Sequence, residues 1–188
     1  MTHAEKTFEY YKQLWEETFK EKKFSESMEI ISKAGSLYPE RYETVYALID
    51  CCREGLTLDP GNMELYYLLS MCFLRLGKWD SAGIVAKEAL KINRKEVRFY
   101  NLMAYLSIMD FEPEMSVNIY KKLMDLVPAE EYNASFNIGF SCLSCGKIEE
   151  AEKIWKELLL KYPDDKRLLY SLDLLRKEKV HYKSYPKE

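Results

Sequence analysis

The spacing of the chain breakers constrains this sequence more than any other feature. Pro60 and Pro128 lie 68 residues apart, Pro128 and Pro163 lie 35 apart, and Gly77 and Gly146 lie 69 apart. A turn signal that returns at about 34 residues, or at twice that, marks one supersecondary unit used repeatedly. The stretches between breakers are rich in Leu, Glu, Lys, Ala and Met, which favour helix. Apolar residues recur in them at helical spacing, as at Val45, Leu48, Ile49, Cys52 and Leu56. Seven glycines and six prolines in 188 residues are too few for a β-sandwich or barrel of this size. The chain is therefore expected to be all-α.

Composition narrows the function classes. Apolar residues make up 47% and charged residues 31%, which excludes a disordered chain. No stretch reaches the ~20 uncharged apolar residues of a membrane helix. Met1-Thr2-His3-Ala4-Glu5-Lys6 meets charge at once and lacks the apolar core of a secretory leader, so a cytoplasmic location is expected. A net charge of −3 argues against nucleic-acid binding through bulk positive charge. The two histidines, His3 and His181, lie near the ends and supply no imidazole to a core site. The five cysteines are an odd number and read as reduced, buried thiols.

The repeat can be followed residue by residue. The unit from Met63 carries Tyr66, Leu69, Ser70 and Phe73 on a first helix, then Gly77 and Trp79 at the turn. Ala82, Ala86 and Ala89 follow on a second helix, and Arg94 stands where the terminal proline is expected. The unit from Val97 carries Tyr100, Met103, Ala104, Ser116, Tyr120, Leu123 and Pro128. Phe111 replaces its turn glycine, and Pro113 opens its second helix. The unit from Tyr132 carries Ile138, Gly139, Gly146, Ala151, Trp155, Leu158 and Pro163.

In these residues the chain resembles the tetratricopeptide-repeat family, most clearly over Met63–Asp165. The resemblance implies antiparallel helix pairs stacked into a right-handed superhelical solenoid, nine or ten helices in all, in a single domain. The small residue in each first helix lets its partner approach, and the turn glycine supplies a positive φ. The units are 63–96, 97–130 and 132–165. Residues 8–39 fit a degenerate unit through Tyr11, Leu14, Phe24, Ser27, Ile31, Ala34 and Pro39. Trp15 fills its small slot and is expected to force the two helices apart, and Lys20-Glu21-Lys22-Lys23 offers no glycine. Residues 41–59 supply one extra helix. Two pairings fit this region: a hairpin followed by a lone helix, or a lone helix followed by a hairpin. Residues 166–181 form a capping helix with Asp164 or Asp165 as its N-cap, and 182–188 a flexible tail.

The resemblance also implies a concave groove lined by the first helices. The expected groove residues are Tyr67, Met71 and Arg75, then Arg98, Asn101 and Tyr105, then Asn133, Phe136, Asn137 and Phe140, and finally Tyr170. The repeat itself does not demand aromatics there, so an apolar ligand with a few polar anchors is expected. The Lys, Arg and Asn clamp by which some members hold acidic chaperone tails is absent, its slots holding Tyr67, Leu68, Met71, Arg98 and Leu102. Cys142-x-x-Cys145 has no second pair and no nearby histidine, which gives no metal or redox site. Gly139 and Gly146-Lys147 miss the spacing of a phosphate loop. The expected role is a protein-interaction scaffold, not an enzyme, without cofactor, metal, nucleic acid or membrane insertion. It would bind a partner's apolar helical or extended segment, and self-association is open. A secretion-type chaperone and a small cysteine-dependent enzyme are the alternatives.

Overall fold

The computed structural model describes the backbone of residues 3–183 and the side chains of residues 8–177. The described residues form ten α-helices: α1 (His3–Lys20), α2 (Phe24–Leu37), α3 (Glu43–Leu58), α4 (Met63–Arg75), α5 (Trp79–Ile92), α6 (Val97–Met109), α7 (Pro113–Leu126), α8 (Glu131–Ser144), α9 (Ile148–Lys161) and α10 (Lys166–Lys183). A 3-10 turn at Pro128–Glu130 precedes α8. Among the described residues there is no strand, and no helix is long and apolar enough to cross a membrane. α10 runs two residues past the expected helix end. The rest of the expected tail, 184–188, lies outside the described residues.

The chain divides into two compact units, Met1–Arg94 and Lys95–Glu188. In the first, α1 packs on α2, α2 on α3, α3 on α4 and α4 on α5. In the second, α6 packs on α7, α7 on α8, α8 on α9 and α9 on α10.

Four of these pairs close through one and the same turn. Its middle residue has positive φ: Lys22 (59°), Gly77 (68°), Phe111 (61°) and Gly146 (72°). The amide after it donates back across the turn, from Lys23 to Thr18, Lys78 to Phe73, Glu112 to Ser107 and Lys147 to Cys142. This is the hydrogen-bond pattern that satisfies the last carbonyls of a helix. The backbone thus keeps the repeat even where glycine is missing. The turn at Lys22 also resolves the first sixty residues: α1 and α2 are a hairpin, and α3 is a lone helix packed between α2 and α4.

Trp15 does not force α1 and α2 apart. Ser27 Oγ donates to the Trp15 carbonyl at 2.9 Å and meets Thr18 Oγ1 at 2.7 Å, so the helices touch there. The small residues come from α2, where Ser27 and Ala34 are fully buried. The indole turns aside, packs edge-on against Phe8 at 5.8 Å and borders α3.

Elsewhere the slots read from sequence fill the core: Ala82, Ala86, Ala89, Ala104, Ala151, Trp155 and Leu123 are buried. Cys51 and Cys52 are buried too, as expected of core packing. A Cβ at Gly139 would lie 2.5 Å from Trp155 Cε2 and 2.8 Å from Cδ1, so only glycine fits. Helix starts follow the sequence as well. Asn62 Oδ1 accepts from the amides of Glu64 and Leu65 to cap α4, and Pro113 opens α7.

Candidate ligand groove

In the second unit the first helices of successive pairs carry a row of exposed side chains. On α6, Asn101 and Met109 are exposed and Tyr105 is 48% exposed. Arg98 is turned back, its Nε donating to Glu96 Oε1 at 2.8 Å. On α8, Phe140 is 42% exposed and packs edge-on against the Trp155 indole at 4.9 Å. On α10, Tyr170 is 65% exposed, with Leu174 exposed one turn further on. A cavity of about 380 Å³ opens between α8, α9 and α10, walled by Phe140, Leu143, Ile148, Trp155, Leu174 and Leu175. No charged side chain lines it.

Three expected groove residues of this unit have structural duties. Phe136 is half-buried against Trp155 at 5.9 Å, under the Arg167 guanidinium at 5.2 Å. Asn137 is half-buried and stands close enough to Tyr120 of α7 to counter, in part, the rise that burial gives that phenol. Asn133 Nδ2 donates to Glu130 Oε2 at 3.0 Å.

A polar knot fastens α10 beside this site. Asp165 Oδ1 accepts from the amides of Arg167 (2.8 Å) and Leu168 (3.3 Å), the N-cap expected from sequence. The Tyr132 hydroxyl of α8 donates to Asp165 Oδ2. Arg167 stacks over the Tyr132 ring at 5.1 Å. The Tyr132 bond, aided by the two amides, holds the Asp165 carboxyl below the usual carboxylate range. Burial, then the Asp165 contact, raises the Tyr132 phenol.

In the first unit, Tyr67 is half-buried and Met71 exposed, while Arg75 Nη2 donates to the Pro39 carbonyl at 2.7 Å. Arg75 therefore ties α4 to the α2–α3 connection. Sequence reasoning missed a second cavity, of about 390 Å³, between α1, α2 and α3. Trp15, Phe19, Ile31, Tyr46, Ala47 and Cys51 wall it. The aromatic pair Trp15 and Phe19, one turn apart, was the available signal.

Neither cavity carries an activated nucleophile. Burial pushes Cys51 and Cys72 up to about 11 and Cys52 up to about 12. Burial and then Glu150 raise Cys142, while burial and then Glu114 raise Cys145. Thiolate is scarce at neutral pH in such settings. Among the described residues no cluster of three or more His, Cys, Asp or Glu side chains could hold a metal.

No protein-family profile and no curated protein matches the sequence. Solved structures do match. A tetratricopeptide repeat protein from Parabacteroides merdae is 16% identical with a TM-score of 0.61, over 97% of this chain and 82% of that one. The thermophilic repeat protein TTC0263 of Thermus thermophilus is 15% identical with a TM-score of 0.58, over 89% and 98% of the two chains. The chain has the tetratricopeptide-repeat fold. YrrB, described as a tetratricopeptide-repeat protein with an unusual peptide-binding site, is 14% identical with a TM-score of 0.54, over 90% and 97%. The four identical turns are the tetratricopeptide hairpin reversals, and the exposed row on α6, α8 and α10 lies on the first helices of its pairs, with α10 standing as a first helix without a second.

Proposed function

We propose that this protein is an interaction scaffold whose second unit captures an apolar helical or extended segment of another protein. The observation that carries the reading is the row of exposed Tyr105, Phe140, Tyr170 and Leu174 beside an uncharged cavity. Exposed apolar patches of this kind mark interaction sites, and a few aromatic anchors supply most of the affinity. The peptide-binding site named for YrrB is in keeping with it. The raised thiols weigh against a cysteine-dependent enzyme.

The test is selection of peptides from a random displayed library on the purified protein, followed by titration of the best binder. Tyr105→Ala and Tyr170→Ala should each weaken it by about 1–2 kcal/mol without altering thermal stability. Selection of acidic peptides indifferent to both substitutions would refute the groove. Phe136→Ala is a poor probe, since Phe136 also supports Trp155 and Arg167.

A further inference from the structure

The cavity between α1, α2 and α3 differs from the groove of the second unit, because its walls are aromatic and its mouth is charged. Trp15 and Ile31 are buried at its floor, while Phe19 enters from α1 and Tyr46 from α3. A space of about 390 Å³ suits a small molecule and is too small for a helix. Three rings around one space favour a cation with an apolar body, because the face of each ring is electronegative. Tyr46 already draws one cation. The Lys78 ammonium lies 5.6 Å from its ring centre, although Lys78 does not line the cavity.

The mouth has the charge to match. Arg41, just before α3, lies over the Phe8 ring of α1 at 4.9 Å, and Cys51, well along α3, joins Trp15 in lining the cavity. α1 and α3 therefore run in the same direction. Glu16 and Asp50, next in sequence to Trp15 and Cys51, stand at one level on opposite walls. Both are exposed and both line the cavity. Among the described residues neither is held in an ion pair, whereas Glu43, the third acid at the rim, lies 3.8 Å from Arg41. Two like charges set across an apolar space are relieved by a cation between them. Lys12 and Lys20 also reach the rim, one turn before and one turn after Glu16. Their long stems let the ammonium groups turn to water, whereas the short Asp50 carboxylate stays at the wall.

We propose that this cavity binds a small organic cation, an ammonium or quaternary ammonium group carried on an apolar body. The body packs against Trp15, Phe19 and Tyr46, and the charge lies between Glu16 and Asp50. The site belongs wholly to the first unit and is independent of the peptide groove of the second. Its ligand would bridge α1 and α3, which otherwise meet chiefly through α2.

Calorimetric titration of the full chain with benzyltrimethylammonium tests this, with 3-phenylpropionate as a probe of similar size and opposite charge. The cation should bind saturably at one site, and the anion should not bind. Glu16→Gln and Asp50→Asn should each weaken the cation by ~2–5-fold, and by ~10-fold together. Tyr46→Ala should weaken it to a similar degree. The acid variants change exposed side chains, so they keep the test decisive should Tyr46→Ala not fold. Glu54→Gln, which removes an exposed acid of α3 outside the cavity, should leave binding unchanged, and so should Tyr105→Ala in the second unit. Absence of saturation below ~10 mM would overturn the proposal. So would binding indifferent to the paired acid substitutions, or binding lost on Tyr105→Ala. Tighter binding of 3-phenylpropionate, abolished by Lys12→Gln, would make this an anion site and overturn it as well. None of these results bears on capture of library peptides by the second unit, which Tyr105→Ala and Tyr170→Ala test separately.

Discussion

Gly139 measures how little space separates paired helices in this fold. A Cβ there would enter the Trp155 indole, whose Nε1 donates to the Phe136 carbonyl at 3.0 Å. Gly139→Leu should therefore destabilise by about 1–3 kcal/mol or more, through overpacking and loss of that bond. Gly83, partly exposed on α5, should accept alanine with no loss and a gain of up to ~1 kcal/mol. Denaturant titrations of the two variants check the contrast, and equal effects would mean that the slots are misassigned. Gly139 was legible because the repeat fixes which position meets a partner helix. Trp15 was misread for a related reason: the same slot can be relieved from the opposite helix, by Ser27, and one-dimensional spacing does not say which side gives way. Lys22 and Phe111 were missed as positive-φ residues because neither side chain advertises it. The backbone reversal is enforced by hydrogen bonds that any residue can make.

At the scale of the element, α10 buries Leu168, Leu172 and Leu175 along its length and is pinned at its first turn by the Asp165 contacts. The Asp165 carboxyl has its pKa lowered in the folded protein, so its contribution is complete above the unfolded value of ~4 and fades as pH falls through the folded one. Acidification below pH ~4 should loosen α10 from α8. Trp155 fluorescence should report this, since the indole borders the cavity that α10 closes. Tyr132→Phe should make the acid response smaller by removing the bond that lowers the carboxyl most. An acid response unaltered by that substitution would sever the knot from α10. Of this knot the sequence discloses only the cap. Tyr132 and Arg167 lie on different helices, and helical periodicity orders residues within one helix, not across two. The same limit hid the cavity of the first unit, which needs the α1–α2 hairpin and α3 brought together.

For the whole molecule, charge is a minor contributor to the proposed binding. The net charge is −3, and the groove row is aromatic and aliphatic. Raising salt should weaken peptide capture only slightly, because screening acts on charges and leaves apolar contacts alone. Collapse of binding in moderate salt would move the interaction to the charged outer faces. The all-helical fold itself was legible because a hairpin repeat prints its period in the breakers and its packing in the small residues. Of the residues expected in the candidate groove, Tyr105, Phe140 and Tyr170 are exposed, whereas Arg75, Phe136 and Asn137 are engaged by other parts of the chain.

The main packing partners of every helix are its neighbours in sequence. A chain wired in this way closes only short loops, and short loops are entropically cheap and quick to form. The α1–α2 hairpin can find its partner surface before α4 has left the ribosome, and within each unit every later helix meets a neighbour already in place. No strand must wait for a distant mate. Folding of this protein should thus keep pace with its synthesis, from the first turn to the last.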